Sequence, residues 1–374
     1  MHLPKTDYDH FIELLSPQTT PEISILMPLY NQKEYVESSI SSVLAQRDIC
    51  AEIIISDDAS KDGTFEEALR VISKWLGKFE CEHKIVVRRG KQRLWRDHLP
   101  LLVDNACCDL VCQAHGDDIS ITDRCLKLVR VFKADPLISL VGSESSSFIS
   151  SQKQGWGIRA TDGCENLCQY TYNEIIDGQY CLIGAFLAWR KSAVNRFTRL
   201  DSQFSAVAHD RILAFRLSLT GKVMLLQSPL VKKRKHLFQS RNWLFHEPYK
   251  HCSFGSSLER ISVLWAMKRD LYKAADLGLI SLEKKNMLEG EINKRLDVFQ
   301  QSLIESYRIY TYDRKHIAWV DDDTIQNMNI NFIDKIELYV EKMIKMTLTK
   351  RQAAVFLDFI RSLMAKLRRT KEHC

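Results

Sequence analysis

Two carboxylates stand side by side in Gln113-Ala114-His115-Gly116-Asp117-Asp118, directly after the apolar run Leu110-Val111-Cys112. Adjacent carboxylates at the end of a buried strand repel each other and resist removal from water. A divalent cation removes that cost. Hard oxygen ligands suit Mg2+ or Mn2+, ions that bind one or two protein carboxylates and complete their shells with substrate phosphates. Two more acidic positions stand in comparable places. Asp57-Asp58 ends the apolar run Glu52-Ile53-Ile54-Ile55-Ser56, and Asp210 opens a helical pattern after Ala208-His209. A solvated loop also accounts for an Asp pair, and helix capping, favoured by the dipole, also accounts for Asp210.

These residues need a frame that brings them together. Ile23-Ser24-Ile25-Leu26-Met27 predicts a strand ending at Pro28-Leu29-Tyr30-Asn31, and Val36, Ile40, Val43 and Leu44 then share one helical face. Asp57-Asp58 runs into the polar turn Ala59-Ser60-Lys61-Asp62-Gly63-Thr64 and a helix over 65–76. Strands are predicted at 84–88, 110–112 and 138–141, with helices at 99–106 and, capped by Thr122-Asp123, at 124–133. This alternation predicts an α/β fold with a doubly wound, mostly parallel sheet, whose ligands bind at the strand carboxyl ends. Tyr30-Asn31, Asp57-Asp58 and Asp117-Asp118 end consecutive strands and would converge on one crevice.

The rest of the chain is less regular. Residues 1–22 read as a loose lead-in with one helical turn, and 143–179 as loops or short strands. Residues 180–189 are strand-like around Gly184; a helix from 208 ends at Gly221, and 223–226 is a strand. Lys232-Lys233-Arg234-Lys235-His236 is either a solvated basic face or a contact for phosphate or anionic lipid. The pattern is helical from 256 onward, and Asp321-Asp322-Asp323 reads as a solvated acidic run. Residues 333–369 are amphipathic and basic, fit to pack on the preceding domain or to lie on an anionic membrane.

A chain of 374 residues has room for one large domain or two. Hydrophobic content of 45% with 27% charged residues excludes a disordered chain, and no apolar run approaches the roughly 18 residues of a membrane span. The first residues lack a basic flank followed by an apolar stretch, so no secretory signal is expected and the expected address is cytoplasmic. The odd count of 11 cysteines excludes complete internal pairing. Cys107, Cys108, Cys112 and Cys125 read as buried reduced thiols, and Cys164-x-x-x-Cys168 lacks the second pair of a zinc site. A net charge of +6 permits anionic partners without demanding nucleic acid.

Taken together, Ile25-Leu26-Met27-Pro28-Leu29-Tyr30-Asn31, Ile55-Ser56-Asp57-Asp58-Ala59-Ser60-Lys61-Asp62-Gly63-Thr64, Gly116-Asp117-Asp118 and His209-Asp210 resemble the family 2 glycosyltransferases of GT-A fold, over residues 23–240. The resemblance implies a Rossmann-like, mostly parallel sheet flanked by helices, with a helical C-terminal region. It implies inverting transfer of a sugar from a nucleotide-sugar with Mn2+ or Mg2+. By position, Pro28 and Tyr30 are similar to the wall of the nucleotide base pocket, and Asp58 to the acidic residue that accepts from the uracil imide. Asp117 and Asp118 resemble the metal-binding pair, the first toward ribose and metal, the second on the metal. Asp210 stands at the place of the catalytic base. His236 matches a downstream His near the diphosphate or metal. Three places depart from the family pattern: His115 replaces a frequent Asp, His209 a frequent Glu, and the Asn-x-Gly before the fourth strand gives way to Arg93, Arg96 and His98, candidates for phosphate contact.

The implied donor is a UDP-sugar, through Asp58. With the basic tail, the resemblance implies a lipid-linked saccharide acceptor, assembly of a surface polysaccharide such as O-antigen or capsule, and peripheral association with the inner face of the cytoplasmic membrane. The expected divisions are a lead-in at 1–22, a catalytic domain at 23–245 and a helical region at 246–374. Two rivals stay open. A nucleotidyltransferase would want a Gly-rich loop where Pro28-Leu29-Tyr30-Asn31 stands. A non-catalytic sugar-nucleotide-binding or scaffold protein on the same fold is kept open by His115.

Overall fold

The computed structural model describes residues 8–15, 19–94, 97–149, 166–178, 182–197, 209–235 and 253–316. Strands β2 (Ile23–Leu29), β3 (Ala51–Asp57) and β4 (Lys84–Gly90) are apolar on both faces, as strands covered on both sides must be. Their side chains alternate between two cores. Ile25, Met27, Ile53, Ile55, Ile85 and Val87 pack with helices α1 (Val36–Leu44), α2 (Thr64–Leu76) and α4 (Arg124–Ala134). Leu26, Ile54 and Val86 face the other way, toward α3 (His98–Asn105). The predicted helical face of Val36, Ile40, Val43 and Leu44 is buried.

The remaining strands are β1 (Tyr8–Leu15), β5 (Leu110–Gln113), β6 (Ile119–Ser120), β7 (Ile138–Ile149), β8 (Leu167–Gln169), β9 (Leu187–Arg190) and β10 (Lys222–Lys235). They join one 10-stranded sheet in the order β1-β4-β3-β2-β5-β9-β7-β10-β6, with β8 pairing β10 beside that path. β4, β3, β2 and β5 are mutually parallel. β9 is antiparallel to both β5 and β7, so β7 and its parallel neighbour β10 regain the common direction. The carboxyl ends of β2, β3, β5, β7 and β10 therefore face one edge.

Four sequence expectations change. The lead-in contains a strand, because β1 pairs antiparallel with β4 along the sheet edge. β7 and β10 run far beyond 138–141 and 223–226: register shifts at Leu226/Pro229 and Pro229/Val231 absorb the proline, and the strand continues through the basic run. Within 143–179 lies helix α5 (Tyr172–Asp177), held by a capping box between Thr171 and Glu174 and closed by left-handed Gly178. Cys108, Cys112 and Cys125 are buried free thiols, but Cys107 is exposed because it sits in the turn before β5.

Helices α6 (Lys191–Asn195) and α7 (His209–Ser218) complete the second layer. Helix α8 (Ser253–Asp276) packs on α7, and α9 (Leu282–His316) packs on α8; Ile261, Leu264 and Leu271 of the first and Leu288 and Ile292 of the second share a core with Ile212 and Phe215. Arg96, Cys164, His236, Asp321-Asp322-Asp323 and the stretch 333–369 lie outside the described residues. No helix among the described residues is long and apolar enough to cross a membrane.

Candidate active site

The turns after β2 and β3 are laced into one unit. Asn31 and Ala59 adopt positive φ, 50° and 58°, which reverses the chain sharply after each strand. The Asn31 N–H donates to Ser60 Oγ at 2.8 Å, and Asn31 Oδ1 accepts the Lys61 N–H at 3.0 Å. The Gln32 N–H donates to Thr64 Oγ1 at 2.8 Å, and the Asp58 N–H to Leu29 O at 2.9 Å. This fixes Tyr30 beside Asp58. Pro28 is tolerated inside β2 because β5 pairs with that strand only as far as Leu26, so no neighbour on that side asks for its missing N–H.

Arg93 closes this part of the site. Its guanidinium lies 3.6 Å above the Tyr30 ring centroid, and its Nε is 4.0 Å from Asp58 Oδ2. The Leu94 N–H takes Asp58 Oδ1 at 2.6 Å. The expected phosphate role of Arg93 therefore gives way to a place at the Tyr30–Asp58 wall. His98 is no surface phosphate ligand either: it is buried below, with Nε2 2.8 Å from Ser56 Oγ.

Burial pushes His98 down to about 4, with Arg88 adding to the effect and Asp58 opposing it. A neutral buried His must charge on unfolding in acid, so the unfolded chain binds more protons between about pH 6.5 and 4, and stability falls as pH drops through that window. Replacing His98 by Gln flattens this part of the urea-midpoint profile. An unchanged slope in the variant would contradict the buried, neutral imidazole.

The next strand end carries the carboxylate pair. Gly116 lies close to the first turn: a Cβ there would lie 2.3 Å from Gln32 Oε1 and 2.5 Å from Leu29 Cδ2. Its turn therefore rests on the one that holds Tyr30. Gly116→Ala forces these side-chain ends aside, and a loss of stability of about 1–3 kcal/mol is expected in urea denaturation at unchanged helix content by circular dichroism.

β6 and β10 clamp the pair from the far side. Ile119 and Ser120 pair with Lys232 and Val231, which brings the Arg234 N–H to Asp118 Oδ1 at 2.9 Å. Arg234 Nε donates to the Asp117 carbonyl and Nη2 to Ser38 Oγ, each at 2.9 Å. Beneath the loop, buried Arg124 donates from Nη2 to the carbonyls of Gln113 and Ala185, both at 2.9 Å. Burial, then the Asp117 charge, pushes the Asp118 carboxyl up to about 7. One nitrogen of His115 and one oxygen each of Asp117 and Asp118 lie within 4.8 Å of one another. Two carboxylates and an imidazole kept neutral by burial form a donor set that fits a divalent cation.

Asp210 sits in the first turn of α7, and its carboxylate is aimed by two backbone donors. The Arg211 N–H reaches Oδ1 at 2.9 Å and the Gly184 N–H reaches Oδ2 at 3.3 Å. Asp117 and Asp210 are both close enough to act electrostatically on His115. The structure thus brings Tyr30, Asp58, Asp117, Asp118 and Asp210 to one edge. Arg234, Gln113 and Gly184 were not singled out from the sequence; the alternation of a strand through Lys233-Arg234-Lys235 was the one available signal, and it buries Arg234.

The family model described as Glycosyl transferase family 2 matches residues 24–198, the segment that holds Tyr30, Asp58 and the carboxylate pair. Over that segment the chain is similar to glycosyl transferase family 2. A curated relative, "Putative glycosyltransferase EpsE" of Bacillus subtilis (strain 168), is 29% identical over 123 residues, which span 33% of this chain and 42% of that protein. Among solved structures, S. aureus TarS 1–349 aligns with a TM-score of 0.51 at 14% identity, covering 87% of this chain and 81% of that one. The same protein in complex with UDP-GlcNAc aligns at 0.52 and 15% identity, covering 76% and 79%. At these identities the structural likeness concerns the fold, which is that of the GT-A glycosyltransferases.

Proposed function

We propose that the chain is a metal-dependent inverting glycosyltransferase that moves a sugar from a UDP-sugar to a hydroxyl of a saccharide acceptor. One observation carries this reading: the Tyr30–Asp58 wall, the Asp117–Asp118 pair and Asp210 follow one another along a single sheet edge, linked through Leu29, Gln32, Gly116 and His115. In this reading residues 23–245 are the catalytic unit and 246–374 a helical C-terminal region, whose helix α8 packs on α7.

Tyr30 and Pro28 flank the base. Asp58 accepts the Leu94 N–H on Oδ1, and its Oδ2 stands 4.0 Å from Arg93 Nε. The uracil imide N–H is the donor that the family resemblance assigns to Asp58, so UDP is taken as the donor nucleotide. Asp117 and Asp118 hold the metal, with His236 as the downstream ligand. When bound, the metal acts as a Lewis acid on the diphosphate leaving group, an effect worth several kcal/mol. Asp210 takes the proton of the acceptor hydroxyl as its oxygen bonds to the anomeric carbon and the bond to the diphosphate breaks on the opposite face. The acceptor is read from the basic amphipathic stretch 333–369, which suits an anionic membrane. We therefore place the reaction on a lipid-linked saccharide in O-antigen or capsule assembly, with a cytoplasmic enzyme peripheral to the inner membrane face.

Calorimetric titration of UDP and GDP, in Mn2+ or in EDTA, tests the donor side. UDP binding that needs both the metal and Asp118, and is lost in Asp118→Ala, is expected. Binding that ignores EDTA and the Asp118 change, or no binding of either nucleotide, would sink the reading.

A further inference from the structure

His115 is placed like a ligand on both of its ring nitrogens. Its Nδ1 is 3.8 Å from Asp118 Oδ2, the oxygen that the Arg234 N–H leaves open. Two cis ligands of an octahedral ion at about 2.1 Å sit about 3 Å apart, so less than an ångström of closure brings both onto one cation. On its other side, Nε2 is 3.2 Å from Gln113 Nε2, at the end of β5. A metal-ligating imidazole needs its second nitrogen to carry the proton and donate it to a fixed acceptor. Half a turn of the Gln113 amide presents Oε1 to that N–H.

The surroundings suit this turned amide. Gln113 is 4% exposed, so water does not take its place. Gly184 leaves it room, since a Cβ at 184 would lie 3.0 Å from Gln113 Oε1 and 3.3 Å from His209 Nε2. His209 Nε2 is buried without a hydrogen-bond partner, and the turned amide offers its NH2 to that side. One rotation thus supplies an acceptor to His115 and a donor toward His209.

We propose that His115 Nδ1 is a metal ligand positioned by Gln113, and that this nitrogen makes the site select Mn2+ and Co2+ over Mg2+. The proposal rests on the metal site of the preceding section and names its selectivity. Carboxylate-only sites suit Mg2+, whereas imidazole favours transition metals, with affinity rising from Mn2+ to Co2+.

The test is pulsed electron paramagnetic resonance on the full chain with Mn2+ and UDP. Nitrogen coupling to Mn2+ is expected in the wild type and in His236→Ala, and its loss when His115→Asp is added to His236→Ala. Isothermal titration should show Gln113→Met lowering Mn2+ affinity about 10–100-fold, and the Mn2+ to Mg2+ affinity ratio collapsing in His115→Asp. Mn2+ and UDP bound together without nitrogen coupling would overturn the His115 assignment and leave the transferase reading standing. Coupling that survives in the double variant His115→Asp with His236→Ala overturns it as well. Nitrogen-coupled Mn2+ in a protein that never binds UDP would support His115 and remove the donor reading, and absence of any Mn2+ binding removes both.

Discussion

Asp210→Asn lowers sugar transfer by about 10²–10⁴-fold, the usual contribution of a general base, while UDP binding is unchanged. The separation follows from position. Asp210 enters from α7 and is held by the Arg211 and Gly184 N–H groups, whereas the proposed nucleotide side comes from the turns after β2, β3 and β5. The amide of Asn keeps one acceptor oxygen but turns an NH2 toward one of those two backbone donors. The local cost is about 1–3 kcal/mol, so the denaturation midpoint must be recorded beside the rate. Transfer kinetics at saturating donor and acceptor read the effect as a fall in kcat. A variant that keeps wild-type kcat would take Asp210 out of the mechanism, and one that loses UDP binding in parallel would mean that α7 supports the nucleotide pocket instead.

The second large effect is on stability. Asp270→Ala is expected to destabilise the fold by about 3–5 kcal/mol, because it leaves Arg216 charged and unpaired in the interior. Arg216 on α7 donates to Asp270 on α8 through Nε at 2.9 Å and Nη2 at 3.1 Å, with the two side chains 5% and 1% exposed. A typical domain is stable by about 5–15 kcal/mol, so the loss is a large share of the total. Replacing both partners, Arg216→Met with Asp270→Leu, removes the stranded charge and should restore most of the urea midpoint. A single variant as stable as the wild type would mean that α8 does not dock on α7 as described. Since α7 carries Asp210 at its start, loosening this pair should also blur the position of that carboxylate.

The parallel strands and their helices are legible in the sequence because their apolar runs are long and the 3.6-residue pattern of α1 and α2 is clean. The acidic strand ends are legible for a related reason: Asp58 and the Asp117–Asp118 pair each interrupt a buried run abruptly. α5 escapes pattern reading since it has six residues and buries only Ile175 and Ile176. Thr171-x-x-Glu174 with Gly178 was its one local signature. Pro229 reads as a strand end, yet two register shifts carry β10 past it. Arg93 and Arg234 act through partners distant in sequence. A basic residue 116 positions beyond Asp118 gives no local sign that its own backbone will meet that carboxylate.

That last contact has a consequence for how such a chain can drift. Asp118 is held by the main chain of residue 234, so no side chain but proline at that position abolishes the bond, although the guanidinium adds contacts of its own. Adding or removing one residue between Pro229 and Lys235 is a different matter. It slides the strand by about 3.3 Å and turns every following side chain to the opposite face. Asp118 would then meet a carbonyl or nothing, and whatever follows Lys235 would be carried along. Spelling along this strand is free to wander over generations while its letter count is not, so insertions and deletions here should be purged even where substitutions accumulate.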